Sequence, residues 1–425
     1  MLNIVGLLQC LRPHVTPTTH RRLSRITWAL LRITGRLTML GLARWAGTGG
    51  SYRPGQRLCA TGLPWARLFW VFFRHHLYCP AEVYCVAGDA VLVTQAGQHT
   101  HGLDRFVASL YGKPVPGLAF FTLSLVSVQK RRALPIRIEQ GVRSDAEKAA
   151  RQAKAAAQQQ QRTAAKRRPG RPKGSKNTHK AAATLTPDLG RITAMRTAFL
   201  HLIAPVLSVP ALGLDGHLGN HHAWPMARQC GLPLISQLRC EAARSFPSTG
   251  PYAGRGPRRK DGPKVTDDHL PVHYLTETTV EGHIETRLYQ MPVLPKECVQ
   301  PLHVVIIVKT NVRTQAQAQV VLFSSDWALA DAPLLDYDAL RFQIEFNFRD
   351  AQQYWGLEDC MHVTPTGVTN AANLSWCMVN GASCLRAGSH ARDPNDSVLD
   401  LKADWRGDKY VEETRKMLPE KPEPV

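Results

Sequence analysis

The segment LLDYDALRFQIEFNFRDAQQYWGLED, residues 334–359, carries the clearest helical pattern of the chain. Its apolar residues recur at helical spacing and form a stripe of Leu340, Ile344, Phe348, Ala351 and Trp355. At about 100° per residue, Arg341, Glu345 and Gln352 project within roughly 40° of each other at one edge of this stripe. The pattern predicts one helix from Tyr337 to Trp355, with Glu345 at the boundary between core and cleft.

Two aspartates occupy strand-like segments ahead of this helix. The segment VYCVAGDAVLVT, residues 83–94, is rich in Val and short side chains and has Asp89 in its middle. Residues 206–214 read as an apolar strand that ends at Asp215, and open α/β sheets bind their ligands at such strand ends. A strand aspartate, a strand-end aspartate and a helical glutamate can converge on one pair of cations.

Phosphodiester chemistry requires such a cluster of carboxylates. Two Mg²⁺ or Mn²⁺ ions about 4 Å apart activate the attacking oxygen on one side and stabilise the leaving oxygen on the other. These hard cations prefer oxygen ligands to His or Cys. Asp89, Asp215 and Glu345 are therefore the predicted catalytic and metal-binding residues, whereas Asp104, Asp326 and Asp336 are interpreted as surface carboxylates or helix-capping groups.

The rest of the chain alternates between strands and helices. We predict strands at 118–128, 232–238 and 320–324, helices at 187–204 and 220–230, and an all-β stretch at 240–330. A hairpin through Gly97 and Gly102 is expected to join the first two strands. The tryptophans Trp224 and Trp355 are predicted to pack in the core rather than to stack on a flipped base. The tail beyond residue 390 is polar and supports no prediction.

Charge is concentrated in two segments of the chain. Residues 1–81 contain eleven Arg and no acid, and residues 148–180 contain eleven Lys and Arg and again no acid, whereas the formal net charge of the whole chain is +20. The remainder is nearly neutral, with 31 basic against 33 acidic side chains. Two cationic segments on a neutral body favour DNA-backbone contacts, and the alternative is a solvated basic surface.

Each basic segment has its own predicted structure. Residues 1–78 read as helices with a Gly-rich break at 47–50, compatible with a helix-turn-helix that exposes Arg53 and Arg57, although any helical hairpin gives this pattern. Residues 166–180, KRRPGRPKGSKNTHK, hold two prolines and are expected to be disordered without DNA. Within them RRPGRPKG resembles an AT-hook, or is a generic basic linker; its candidate DNA contacts are Arg167, Arg168, Arg171 and Lys173.

Composition also excludes several classes of protein. No apolar stretch reaches the roughly 18 residues that span a bilayer, and no signal peptide is convincing, so we predict a cytoplasmic, nucleoid-associated protein without membrane contact. The ten cysteines contain no C-x-x-C pair, which favours free thiols over disulfides or structural zinc.

The 334–359 segment resembles the signature helix of insertion-sequence DDE transposases of the Tyr-Arg-Glu-Lys group. In that group an Arg precedes the catalytic Glu by four positions and a Lys follows it by seven. Arg341 and Glu345 match, whereas Gln352 stands at the Lys position and Asp338 at the Tyr position. The segments ALGLDGHLGN (211–220) and VYCVAGDAVLVT resemble the two Asp motifs, and the resemblance runs from about residue 35 to about 405.

The resemblance implies an α/β fold with a ribonuclease H-like catalytic core over residues 79–239 and 320–405. The core would be interrupted by a basic arm at 144–186 and by a β-rich insertion at 240–319. A helical DNA-binding region, residues 1–78, would precede it, and a polar tail, residues 406–425, would follow.

The implied activity is that of a transposase, a bacterial enzyme that binds the terminal inverted repeats of an insertion sequence. It would cut the element ends and join them to target DNA, using two Mg²⁺ or Mn²⁺ ions. A homodimer in the synaptic complex is implied, and Arg341 would contact DNA or pair with Glu345. The alternatives are a metal-dependent nuclease that does not join strands and an inactive DNA-binding relative.

Overall fold

The computed structural model describes residues 3–46, 51–95, 97–108, 112–163, 185–219, 223–224, 231–239, 242–251, 254, 260–266, 269–296, 298, 300–359, 362–388 and 396–418. Three sequence predictions fall largely or wholly on the remaining residues. The AT-hook-like run and the Gly-rich break at 47–50 lie outside the described residues, as does most of the predicted helix at 220–230.

The elements described between residues 3 and 76 are helical. They are α1 (Ile4–Leu7), a 3₁₀ segment (Leu8–His14), α2 (Pro17–Arg32), α3 (Met39–Trp45), α4 (Arg53–Cys59) and α5 (Trp65–His76). The longest, α2, begins where the Thr16 hydroxyl accepts a hydrogen bond from the Thr19 backbone N–H and Pro17 takes the first helical position. Its stripe of Leu23 and Leu30 is fully buried, so α2 packs into the body of the protein.

The two aspartate motifs lie in one half of a twelve-stranded sheet. This half contains β1 (Tyr84–Thr94), β2 (Asp104–Ala108), β3 (Lys113–Ser127), β4 (Arg132–Gln140), β5 (Leu212–Leu214) and β6 (Leu234–Leu238). Its central order is β4–β3–β1–β5–β6, with β2 beside the start of β3. β3 is antiparallel to β1 and β4, whereas β5 runs parallel to β1 and β6 runs parallel to β5.

The second half of the sheet is built from later strands. They are β7 (Arg244–Pro247), β8 (Asp261–Lys264), β9 (Leu275–Glu281), β10 (Ile284–Pro295), β11 (Leu302–Asn311) and β12 (Gln317–Ser324). β12 pairs antiparallel with β6, β11 with β12, and β10 with β11. The far edge of β10 then pairs with β9 and, near its end, with β7. The β-rich stretch therefore continues the aspartate-bearing sheet through hydrogen bonds.

Six further helices complete the described fold. They are α6 (Asp145–Thr163), α7 (Pro187–Ile203), α8 (Asp331–Arg341), α9 (Gln343–Gln353), α10 (Pro365–Ala387) and α11 (Val398–Met417). Helix α10 is central, because nearly every side chain between Gly367 and Leu385 is buried. It packs against β4, α4, α5 and α9, and so joins the N-terminal helices to the sheet.

The prediction of one helix from Tyr337 to Trp355 is wrong in its continuity. α8 ends at Arg341 and α9 begins at Gln343, and the Glu345 backbone N–H donates to the Phe342 carbonyl, a tighter i to i−3 hydrogen bond. The apolar stripe itself is confirmed, since Leu340, Ile344 and Ala351 are fully buried. The apolar stripe is buried on both sides of the break, so apolar periodicity alone could not reveal the break.

Other predicted boundaries also need correction. The strand before Asp215 spans only Leu212–Leu214, because residues 204–206 form a turn after α7. The connection from β1 to β3 includes the short strand β2, so it is not a simple hairpin. Residues Val398–Met417, for which the polar sequence gave no prediction, form a helix with a capping box at Ser397 and Asp400.

Asn370 on α10 connects the N-terminal helices to the core. Its Nδ2 donates to the carbonyls of Leu58, Cys59 and Thr61 at 3.1, 2.9 and 2.7 Å, and its Oδ1 accepts a hydrogen bond from Trp65 Nε1 at 2.8 Å. Two of these carbonyls belong to the last turn of α4, where helical carbonyls have no partner within the helix. One buried amide therefore satisfies the end of α4 and the start of α5.

Replacing Asn370 by Ala is expected to lower the free energy of unfolding by about 3 kcal/mol, because it removes the partner of a buried indole N–H and the side-chain donor to the Cys59 and Thr61 carbonyls. Asn373→Ala is the matched control: Asn373 is equally buried on the same helix but donates only to the Thr369 carbonyl within it. Urea unfolding of both variants measures the difference. Equal losses for the two would show that the α4–α5 junction does not depend on Asn370.

Candidate active site

Strand register brings Asp89 and Asp215 together. β1 and β5 pair in parallel through Val86 with Leu212, Ala87 with Gly213 and Gly88 with Leu214, so the next position on each strand is an aspartate. Residues at the same level of a parallel pair project from the same face of the sheet. Asp89 in the middle of β1 and Asp215 immediately after β5 therefore belong to one face.

The chain just after β5 is fixed by Asp215 itself. Its Oδ1 accepts a hydrogen bond from the Leu218 backbone N–H at 2.9 Å, and its carbonyl accepts from Gly219 N–H at 2.7 Å and from Ser236 Oγ at 3.0 Å. A Cβ atom at Gly219 would collide with the Ser236 side chain. Gly219 therefore allows the loop to approach β6 closely, and the hydrogen bond from Leu218 holds the Asp215 side chain at the strand end.

Helix α8 places a cation among the acids. The aliphatic part of Arg341 lies over Gly213, where an added Cβ would meet it at 3.5 Å. Arg341 Nη1 is 3.6 Å from Asp89 Oδ2, and Arg341 Nε is 3.9 Å from Asp338 Oδ1. Asp338 Oδ2 also accepts a hydrogen bond from Gln237 Nε2 on β6 at 3.2 Å. Arg341 and its two carboxylates are each less than one-sixth exposed.

The predicted i,i+4 pair of Arg341 with Glu345 is therefore wrong. The helix break at Phe342 removes the regular spacing between them, and Arg341 turns to Asp89 and Asp338 instead. Glu345 lies in the first turn of α9 and is exposed. Its negative charge nevertheless acts on Asp89, as does that of Asp215, so the three predicted acids form one electrostatic cluster.

The environment of the cluster disfavours the charged form of Asp89. Burial raises the pKa of Asp89 from its ordinary 3.8 to about 6, and the charges of Asp215 and Glu345 add to the rise against the opposing effect of Arg341. Burial also raises the pKa of Asp338, although Gln237 and Arg341 stabilise its charged form. An additional positive charge at this face would relieve the repulsion.

The three acids fit a hard divalent cation by their chemistry. All are carboxylates, the ligands that Mg²⁺ and Mn²⁺ prefer, and their mutual repulsion would be reduced by a cation. Their geometry is more open. Across the residues that the structure describes, no three His, Cys, Asp or Glu side chains lie close enough to hold a metal ion. Arg341 occupies one side of Asp89 in this arrangement.

A cleft of about 530 Å³ opens beside the two aspartates. Its walls come from β1, β2, β3 and α7, and they combine apolar side chains such as Phe121 and Met195 with Arg143 and Arg191. Both arginines are engaged, Arg143 with Asp104 at 2.9 Å and Arg191 with Glu147 and Asp188. The cleft is large enough for a nucleotide-sized ligand.

The other predicted residues that the structure describes lie on the N-terminal helices or in the core. Arg53 and Arg57 are exposed on α4, whereas Arg167, Arg168, Arg171 and Lys173 lie outside the described residues. Trp355 is 1 % exposed and Trp224 packs edge-on against Phe323, which confirms both as core residues. In the described part of the chain, Cys10, Cys79, Cys85, Cys377 and Cys384 are free thiols, as predicted.

Two residues of the site were missed by sequence reasoning. Asp338 was noted only as a departure from the Tyr position of the signature, and Gln237 was not singled out. Asp338 lies three residues before Arg341, a spacing that places both on one helix face and could have indicated the pair. No sequence signal marks Gln237, because its pairing with Asp338 joins residues 101 positions apart.

Comparison with known families identifies the family of the chain. The sequence profile of a family described as DDE superfamily endonuclease matches residues 10–290, more than half of the chain. The chain therefore belongs to this family of DNA-acting enzymes, which generally use divalent metal ions. Asp89 and Asp215 lie within the matched residues and Glu345 lies beyond them. A search of curated proteins found no match. Within the described residues, no helix is long and apolar enough to cross a membrane.

Asp89→Asn is expected to change the dependence of stability on pH. The native carboxyl has a raised pKa, so it binds its proton more tightly than the unfolded chain does; its contribution to stability is complete below pH 4 and is lost as the pH rises to about 6. At pH 7.5 the neutral amide should therefore be more stable than the wild type, by about 2 kcal/mol, and the gain should shrink towards pH 4.5.

Urea unfolding of the metal-free protein at the two pH values measures this effect. Asp326→Asn serves as the control, because Asp326 only caps the Ala328 backbone N–H, away from the acid cluster. A gain of the same size at both pH values would contradict a raised pKa at Asp89.

Proposed function

We propose that the protein is a DDE transposase that cuts and joins DNA through Asp89, Asp215 and Glu345. The observation that carries this proposal is the parallel register of β1 and β5, which puts Asp89 and Asp215 at neighbouring positions on one sheet face. Glu345 adds its charge to the same cluster from α9. Two carboxylates from adjacent strands and one from a helix form the donor set that phosphodiester transfer requires.

The strand order supports a ribonuclease H-like core. β1, β3 and β4 form an antiparallel set, and β5 and β6 follow in parallel on the other side of β1. In this arrangement the first acid lies on the first strand of the set and the second follows the first parallel strand. That placement agrees with the resemblance of residues 83–94 and 211–220 to the two Asp motifs of insertion-sequence transposases.

Asp89, Asp215 and Glu345 would hold the divalent cations. When bound, two Mg²⁺ or Mn²⁺ ions supply an activated water or 3′-hydroxyl and stabilise the leaving oxygen. Arg341 would keep Asp89 ionised and oriented until then, since its guanidinium lies 3.6 Å from that carboxylate. Asp338 and Gln237 would position Arg341, which makes Arg341 a positioning residue in this mechanism.

The proposed substrate is duplex DNA, the ends of a mobile element and its target, bound by a synaptic homodimer. The N-terminal region supports DNA binding by its charge, because residues 1–81 hold eleven Arg and no acid, and Arg53 and Arg57 are exposed on α4. The acid-free run at 148–180, with Arg167, Arg168, Arg171 and Lys173, would supply further backbone or minor-groove contacts.

An inactive DNA-binding relative is the second candidate. It is favoured by one observation: among the described residues no metal-ligand set converges, and Arg341 pairs with the carboxylate of Asp89. Such a protein would bind DNA and cut none. A metal-dependent nuclease that does not join strands would share the acid cluster, so only a joining assay separates it from the transposase.

The catalytic proposal is tested by incubating labelled duplexes, taken from the DNA that flanks the gene, with Mg²⁺ or Mn²⁺. Glu345→Gln and Asp215→Asn are expected to lower metal-dependent cleavage by about 100-fold or more, because each removes several kcal/mol of charge stabilisation in the transition state. Both variants should keep DNA binding. Asp326→Asn, a carboxylate outside the cluster, is the matched control and should cleave normally.

Three outcomes of this experiment decide between the candidates. Cleavage that is lost in both variants, with 3′ ends joined to a second duplex, supports the transposase. Cleavage without joining favours the nuclease. Binding without cleavage in the wild-type protein would establish the inactive relative and refute the catalytic proposal.

DNA contact by α4 has its own test. Arg53→Gln combined with Arg57→Gln should weaken duplex binding and reduce the slope of log K against log salt by about 2, because each phosphate contact releases counterions. The control replaces Arg406 and Arg415 on α11 by Gln. A slope that is unchanged in the α4 variant would show that α4 does not contact the backbone.

A further inference from the structure

A second, smaller cavity lies one helical turn from Glu345. It has a volume of about 190 Å³ and is enclosed by the start of β4, one side of α9 and the C-terminal half of α10. The side chains that matter chemically are Arg132, Arg349, Asp350, Ser383 and Arg386. This volume is below the range of about 300–1,000 Å³ for pockets that bind drug-sized molecules, so the cavity suits a small group.

The walls of the cavity are fixed by two buried amides. Asn347 Nδ2 on α9 donates to the Ala133 carbonyl at 3.2 Å, and Asn380 Nδ2 on α10 donates to the Pro135 carbonyl at 2.8 Å. Both carbonyls belong to β4, whose described strand partner is β3. The amides thus fasten α9 and α10 to the outer side of β4, and the space between them is built into the fold.

The cavity carries excess positive charge. Arg349 is paired with Asp350 at 2.8 Å, which leaves Arg132 and Arg386. Within the described part of the chain, neither guanidinium group has a hydrogen bond or an ion pair. Cys384 is near Arg132, but burial raises the pKa of Cys384 to about 12, so its neutral thiol cannot balance the charge.

The two arginines repel each other. Burial lowers the pKa of Arg132 most strongly; Cys384 opposes this, the positive charge of Arg386 lowers the pKa further, and Asp350 has the smallest, opposing effect. Hydrogen bonds from the Ser397 side chain and backbone lower the pKa of Asp400, and the charge of Arg386 lowers it further. The Asp400 carboxylate is therefore already held by Ser397 at the start of α11. Two guanidinium groups face one small cavity, and each carboxylate near them already has another partner.

Unpartnered polar atoms line the same cavity. Ser383 is 6 % exposed and Asn380 is 1 % exposed, and among the described residues neither Ser383 Oγ nor Asn380 Oδ1 has a hydrogen-bond partner. A buried hydroxyl without a partner costs about 1–3 kcal/mol, so it indicates a missing ligand or solvent. Ser383 can donate its proton to an anion, and Asn380 can accept a hydrogen bond from water beside it.

We propose that this cavity binds a phosphate group of the DNA backbone through Arg132, Arg386 and Ser383. Guanidinium groups recognise phosphate oxygens by paired N–H donors, and the hydroxyl adds one donor more. The choice of DNA as the source of the phosphate rests on the proposed function. Arg349 on the cavity wall follows Glu345 by four residues, about 6 Å along α9, so the bound phosphate would lie near one of the proposed metal ligands.

The mouth of the cavity is suited to a nucleic acid strand. Phe346 lines it and is 42 % exposed, and the Arg349 guanidinium lies 5.2 Å from the Phe346 ring centroid. Phe342 is 48 % exposed and packs edge-on against Phe346 at 5.8 Å. Exposed aromatic rings beside a phosphate site allow an unpaired base to stack, an arrangement common in single-strand binding proteins.

The first arm of the test uses inorganic phosphate and does not depend on DNA or catalysis. Thermal unfolding is compared in sodium phosphate and in sodium chloride at equal ionic strength. Phosphate should raise the melting temperature of the wild type, because a ligand that binds only the native state stabilises it. The rise should disappear in Arg132→Gln and Arg386→Gln. It should persist in Arg131→Gln, whose exposed side chain pairs with Asp336 outside the cavity.

The second arm measures duplex binding as a function of salt for the same variants. Loss of one phosphate contact should reduce the slope of log K against log salt by about 1 in Arg132→Gln and Arg386→Gln, and not in Arg131→Gln. Arg386→Lys keeps the charge and should retain most of the slope, which separates lost contact from misfolding. Because removal of one arginine relieves repulsion in the cavity, neither Gln variant should unfold more easily in sodium chloride.

The two arms separate the possible results. Equal phosphate stabilisation in all variants overturns the site. Loss of phosphate stabilisation with an unchanged salt slope overturns the assignment to DNA, and shows a site for free phosphate. Loss of both supports the proposal, and this holds even if the cleavage assay fails and the catalytic proposal falls.

Discussion

The parallel pairing of β1 with β5 is the constraint on which the candidate active site depends. It spans only three residue pairs, and its last pair, Gly88 with Leu214, immediately precedes the two aspartates. A slip of one residue would send one aspartate to the opposite face of the sheet, because side chains alternate along a strand. Gly88 allows this pairing, since a Cβ atom at position 88 would lie 2.9 Å from the side chains of Leu214 and Phe121.

This pairing brings two carboxylates together, and other residues of the site partly neutralise their charge. Carboxylates with little exposure repel each other and lose hydration, as the raised pKa of Asp89 shows. Gly213 on β5 leaves room for the Arg341 side chain to cross the strand and reach Asp89. Asp338, held by Gln237 from β6, then orients Arg341 from the other side. Adjacent strands and one helix thus supply both the charges and their partial neutralisation.

Sequence reasoning succeeded where the signal is local. The Val-rich run around Asp89 reflects a mostly buried strand and the apolar stripe of α8 and α9 reflects burial at helical spacing, and the structure confirms both. It failed where two distant segments decide the outcome. The continuation of the sheet through β12 depends on its pairing with β6, about 85 residues earlier. The sequence of neither strand indicates which strand it pairs with.

The same limit applies to single side chains and to the C-terminal helix. Asn370 looks like any polar residue in a helix, but it binds carbonyls more than 300 positions away. The sequence of α11 is mostly polar, and its helix is recognisable only once Trp405 is seen to pack edge-on against Trp28 of α2 at 4.7 Å. Propensity and periodicity do not contain these contacts, because they arise from the fold as a whole.

The break at Phe342 explains why the two halves of the predicted signature helix behave differently. Both helices contact β1 and β4, but α8 also packs on β5, β6 and β12, whereas α9 also packs on α10. Arg341 therefore belongs to the centre of the sheet and Glu345 to the region above β4. Phe342 is the single residue between the helices, and its backbone keeps a helical conformation. Glu345 is exposed on α9, so its side chain can reorient towards a cation without displacing the buried stripe of that helix.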